Sequence, residues 1–153
     1  MSHISDPHFA ERVRASFALQ HAMALIRATL PVVEHGYAEI HLPHWSGVEQ
    51  QHGFVHGGVV GMIADSAAGY AAMTMVPPSA SVLSVEYKIN NMAPADGDFL
   101  IAIGKVIRAG RTLIVTQGEV FAVKDDRKTP CALMQQTVMV MHGKPEKSHG
   151  AKP

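Results

Sequence analysis

One segment constrains the fold more than any other. From Gly57 to Met73 apolar and small residues surround a helix on every side, with Val59, Val60, Met62, Ile63 and Tyr70 falling on different faces. A helix that is apolar all round is buried, because a surface helix keeps one wet face. Pro77-Pro78 stops it. Asp65 is the only charged residue between Val59 and Val76, and this Gly- and Ala-rich run makes a poor membrane span. An unpaired buried carboxylate is costly, so Asp65 is paired, protonated or functional; a structural Asp meeting Arg or Lys is the alternative.

The rest of the chain has to cover that helix. Val82 to Met92, Phe99 to Arg108, Thr112 to Val123 and Cys131 to Met141 read as strands, separated by turns at Pro94 with Asp96-Gly97, at Ala109-Gly110 and at Asp125 to Lys128. Such short connections favour hairpins and an antiparallel sheet, with Gly104 and Gly118 as bulge candidates. Upstream, Asp6-Pro7 opens a helix whose apolar face carries Phe9, Val13 and Phe17 and which runs towards Thr29, where Leu30-Pro31 ends it. Val33 to Leu42 reads as one further strand. The expected class is α+β: a curved antiparallel sheet holding one long buried helix in its concave face, plus an N-terminal helix. Residues 1–30 form the helical segment, 31–141 the main domain and 142–153 a flexible tail.

Composition adds exclusions. At 153 residues the chain suits a single domain. Thirteen basic and thirteen acidic residues leave no net charge, so nothing builds the positive field that nucleic acid requires. The charged fraction is 17%, against about 25% in typical domains, which favours association into a homo-oligomer. Cys131 is alone and reads as core; without a disulfide framework or a visible secretory signal, the expected setting is cytoplasmic, away from membranes.

The densest cluster is Gln50-Gln51-His52-Gly53-Phe54-Val55-His56-Gly57-Gly58, directly before the buried helix. Glycines at a helix start let a ligand approach unpaired amides, and the helix dipole favours negative charge there, including the oxyanion of an attacked carbonyl. A turn needed only for packing is the plainer alternative. Gly57 and Asp65 are eight residues apart, about 12 Å along a helix. Groups that polarise and attack one carbonyl both lie within about 3 Å of it. One straight helix therefore cannot serve one site with both. Two such helices packed antiparallel across a two-fold axis can, which makes an oligomer part of the mechanism. The same distance separates Asp65 from His52 and His56 and argues against a metal site. No G-x-S-x-G, GxGxxG or P-loop pattern is present.

The ordered strings His56-Gly57-Gly58, Asp65-Ser66-Ala67-Ala68-Gly69-Tyr70-Ala71, Ser84-Val85-Glu86-Tyr87, Met92-Ala93-Pro94-Ala95 and Arg108-Ala109-Gly110-Arg111 resemble the hotdog-fold acyl-CoA thioesterases of the phenylacetate-degradation type, over roughly 33–141. The resemblance implies a sheet wrapped around a central helix, double-hotdog dimers, commonly two of them in a tetramer, and hydrolysis of an acyl-CoA thioester at the dimer interface without cofactor or metal. By position Gly57 would offer its amide to the thioester oxygen, with Gly58 beside it and His56 shaping the helix start. Asp65 from the partner chain would be nucleophile or general base, and Ser84 would help hold the attacking water. Such enzymes often carry Asn six residues before the motif His; Gln50 stands here, one methylene longer. Arg108 and Arg111 would contact coenzyme A phosphates. Two other functions compete. A hotdog enoyl-thioester hydratase or dehydratase usually pairs its acid with a His, and none follows Asp65 closely on the helix. A non-catalytic acyl-CoA-binding module would bind thioesters without releasing thiol.

Overall fold

The structure is a computed structural model and describes residues 6–146. Its elements are α1 (Phe9–Ala18), α2 (His21–Leu25), β1 (Thr29–Glu34), β2 (Tyr37–Pro43), α3 (Gly57–Met73), β3 (Ala80–Asn91), β4 (Phe99–Ala109), β5 (Leu113–Lys124) and β6 (Arg127–His142). The strands form one curved antiparallel sheet in the order β1-β2-β4-β5-β6-β3, with α3 packed on one face. This is the hotdog arrangement. Side chains alternate along each strand, so Leu100 and Ala102, Ile114 and Val120, and Met134 and Val138 are buried under the helix. Ala64, Ala67, Ala68 and Ala71 are fully buried and keep the contacting face of α3 thin.

Gly104 and Gly118 do a different job from the one expected. They lie opposite each other in regular β4–β5 pairing, and the bulges or irregularities fall instead between Thr29 and Val32, Ser84 and Glu86, Val106 and Arg108, and Val120 and Phe121. A Cβ at Gly104 would stand 2.1 Å from the Ala67 carbonyl oxygen, and one at Gly118 3.3 Å from that of Ala64. The two glycines let the helix backbone touch the sheet.

Other expectations need correction. The N-terminal helical run breaks after Ala18 and ends at Leu25; Arg27 adopts φ 65°, which turns the chain into β1. Pro31 sits within β1, an edge strand, where a missing N–H is tolerated. The single strand expected from Val33 to Leu42 is two strands joined at Gly36, whose φ of 76° suits glycine. Helix α1 starts at Phe9, later than Asp6-Pro7 suggests. The Asp6 side chain accepts from the His8 amide at 2.9 Å and pairs with Arg12 Nε at 2.8 Å. Burial would raise this carboxyl, but Arg12 and His8 hold it below the ordinary carboxylate value. Arg12 also donates to the carbonyls of Met73 and Val76, fastening α1 to the end of α3.

Strand β3 does not form a hairpin with β4. The connection crosses the sheet end, where the Met92 amide reaches the Cys131 carbonyl at 2.8 Å and the Asp98 amide that of Val123 at 2.7 Å, and β3 pairs with β6 at the opposite edge. The expected tail begins at His142, which still pairs with Ala80; residues 147–153 lie outside those described. Helix α3 is also less enclosed by its own chain than an all-round apolar pattern predicts. Sheet and N-terminal helices cover most of it, while Gly58 and Met62 are exposed and Asp65, Ser66 and Gly69 are half-buried. Their three- and four-residue spacing puts them on one open stripe.

Candidate active site

At its start α3 is capped by His56, whose Nδ1 accepts the Gly58 amide at 2.8 Å. Accepting at Nδ1 places the proton of a neutral ring on Nε2. The amides of Val59 and Val60 return to the His56 carbonyl. The Gly57 amide, first in the helix, has no partner among the described residues. It sits at the positive end of the helix dipole, with no side chain on its Cα. A cleft of about 450 Å³ opens there, lined by Gln50, Phe54, Gly57, Asn91, Met92 and Cys131 among others. The Gln50 side-chain oxygen is engaged by the His52 amide of its own loop. Burial pushes the Cys131 thiol up to about 11, so it is protonated at neutral pH and unsuited to nucleophilic attack.

Two turns further on, Asp65 lies in a different cleft of about 310 Å³, with Gln20, Ser66, Tyr70, Leu83 and Ser84 in its walls. The Ser84 hydroxyl donates to Asp65 Oδ1 at 2.7 Å. Gln136 Nε2 donates to the same oxygen and to Ser84 Oγ at 3.1 Å. Behind it, the Thr116 hydroxyl donates to Gln136 Oε1 at 3.0 Å. Asp65 Oδ2 has no partner among the described residues. The pairing that the sequence demanded for this carboxylate is supplied by neutral donors; no Arg or Lys meets it among the described residues.

The structure thus brings Asp65 together with Ser84, and Gly57 with Gln50, Gly58 and His56, but it keeps the two groups in separate clefts of one chain. Arg108 and Arg111 are exposed around the β4–β5 turn and line neither cleft. Sequence reasoning missed Gln136, Thr116 and Asn91. The first two carried a signal: each is a polar residue in phase with inward apolar neighbours, Gln136 between Met134 and Val138, Thr116 between Ile114 and Gly118. Among the described residues no group of three or more His, Cys, Asp or Glu is placed to hold a metal ion, and no helix is long and apolar enough to cross a membrane.

A long helix wrapped by such a sheet defines the hotdog class. Within that class, the family model described as the thioesterase superfamily matches residues 52–129. A thioesterase family protein from Silicibacter pomeroyi superposes with a TM-score of 0.87 at 38% identity, covering 88% of this chain and 99% of that one. The chain belongs to the thioesterase superfamily. The PaaI protein from the phenylacetic acid degradation operon of E. coli shares the fold, with a TM-score of 0.80 at 19% identity over 92% of this chain and 98% of that one. The 1,4-dihydroxy-2-naphthoyl-CoA hydrolase of Listeria monocytogenes is 27% identical over 71% of this chain and 85% of its own length. Two relatives named as esterases, from Saccharolobus solfataricus and Halobacterium salinarum, are each 35% identical over 57% and 48% of this chain, which spans only 61% and 49% of their lengths.

Proposed function

We propose that this protein hydrolyses acyl-CoA thioesters to free acid and CoA, at sites shared between two chains. The observation that carries this reading is the division of labour along α3: a free amide at Gly57 and a held carboxylate at Asp65 occupy separate clefts of one chain. An antiparallel pair of α3 helices sets Gly57 of one protomer against Asp65 of its partner. The open stripe of α3 supports such a contact, and so does β3. That edge strand is twelve residues long, unpaired on one side, and exposes Leu83, Val85 and Tyr87. A long apolar edge of this kind calls for a partner. Ile107 and Leu133, exposed beside a further cleft of about 240 Å³, are where two dimers would meet in a tetramer.

In this arrangement the Gly57 amide takes the thioester oxygen and stabilises negative charge as it develops there. Asp65 supplies the attack, removing a proton from water or adding to the carbonyl itself, with Ser84 beside it. With water as attacker, the tetrahedral intermediate collapses as the C–S bond breaks, and the proton held by Asp65 passes to the departing thiolate, leaving the acid and CoA thiol. With Asp65 as attacker, the same cleavage leaves a mixed anhydride on Asp65, which water then splits to the acid and the free carboxylate, its proton going to the thiolate. His56 shapes the helix start, Gln50 presents its amide in the same cleft, and the exposed Arg108 and Arg111 take the coenzyme's phosphates. A cytoplasmic setting fits a single buried thiol with no disulfide partner. The test is thiol release from a panel of aryl, short and long acyl-CoAs by wild type and Asp65→Asn. The reading predicts turnover that falls about 10²–10⁴-fold in a folded Asn variant. Undiminished turnover would sink it.

A further inference from the structure

Gln136 is 1% exposed and Thr116 is fully buried, so their polar atoms must be satisfied by protein groups. They are, in one chain of donors running from the sheet to the helix. The Thr116 hydroxyl donates to Gln136 Oε1, which fixes the amide's orientation: its nitrogen faces Asp65 and Ser84. Ser84 accepts from Gln136 and donates to Asp65 Oδ1, while Gln136 donates to that same oxygen. Three groups thereby close a ring on Oδ1, while Oδ2 has no partner among the described residues of the cleft that Asp65 lines.

We propose that Gln136 is a positioning residue for this site, committing Oδ1 of Asp65 and the Ser84 hydroxyl so that Oδ2 is the oxygen that meets water or substrate. The inference rests on the reading of Asp65 as base or nucleophile. An amide suits the task because it donates without carrying charge, so it orients the carboxylate while leaving it available to take a proton. Glutamate at this place would have no proton to donate unless it shared one with Asp65. The titratable groups lining the same cleft are Tyr70 on α3 and Glu146 after β6; neither hydrogen-bonds Asp65.

The test compares pH–rate profiles of thiol release for wild type, Gln136→Leu, Gln136→Glu, Thr116→Val and Asp65→Asn, with a thermal melt of each. Gln136→Leu should lower kcat by about 10–100-fold with KM unchanged, the usual cost of losing an outer partner of a working group. Gln136→Glu should move the acid limb of the profile to higher pH, because two adjacent carboxyls hold a shared proton. Thr116→Val should shift kcat in the same direction as Gln136→Leu, by less. If a buried leucine prevents folding, the isosteric Glu variant decides. Folded Gln136 variants with wild-type kcat and an unmoved acid limb, beside an inactive Asp65→Asn, would overturn the proposal and leave the role of Asp65 intact. Loss of folding in all three network variants would assign the network to stability and overturn it too. A fully active Asp65→Asn would remove the underlying reading and the proposal together.

Discussion

At its start α3 offers a backbone group, and two turns later it offers a side chain; the two clefts hold their working atoms in opposite ways. The Gly57 amide is held by the helix itself, and no side chain supports it directly. Asp65 is aimed by Ser84 and Gln136, with Thr116 behind, and these come from three different strands. The first half-site therefore tolerates most changes around it and fails only when the amide is removed or blocked. The second is exposed to single substitutions far along the chain.

The largest effect should come from breaking the contact that would unite the half-sites. Val85→Lys places a charge on the half-exposed edge of β3, and such a charge opposes strand pairing between chains. Light scattering should show a folded monomer, and thiol release should fall to the assay limit with both clefts preserved. A monomer that turns over would break the comparison outright.

Next comes removal of the amide alone. Gly57 is the first residue of α3, the position where proline is best tolerated, and His56 before it has φ −58° and ψ 134°, which a following proline accepts. Gly57→Pro should keep the melting temperature and lower kcat by about 10²–10³-fold, the cost of losing one oxyanion donor. Retained kcat would show that the amide is idle.

The smallest effect belongs to the cap. His56→Ala frees the Gly58 amide, costing about 1 kcal/mol and lowering Tm by about 2–4 °C for a chain of this size. Calorimetry reads the shift, and kcat should change far less than in Gly57→Pro. An equal loss in both variants would mean that the ring of His56 works on the substrate.

Much of this was legible in the sequence because burial leaves a strong imprint there. The apolar run from Gly57 to Met73 identified the central helix, and its length against the needs of one carbonyl showed that Gly57 and Asp65 could not meet within a chain. Strand order was not legible. A seven-residue connection between β3 and β4 looks like a hairpin loop, but pairing partners are chosen by which inward faces fit α3, and β3 went to β6. The roles of Gly104 and Gly118 were hidden for a related reason: only the docked helix shows that a methyl group would strike its backbone at Gly104 and crowd it at Gly118. Gln136 stood as a polar residue in phase with its inward apolar neighbours, yet its partner lies 71 residues away, and only the folded sheet connects them.

The central claim is that each complete site takes Gly57 from one chain and Asp65 from another. It is tested most directly by mixing Gly57→Pro and Asp65→Asn chains, refolding them together and measuring thiol release. Each variant alone carries a lesion in every site. In a random mixture about one quarter of the sites combine an intact Gly57 with an intact partner Asp65, so activity should recover to about one quarter of wild type. Mixed dimers that form, verified by mass, yet show no recovery would contradict the account.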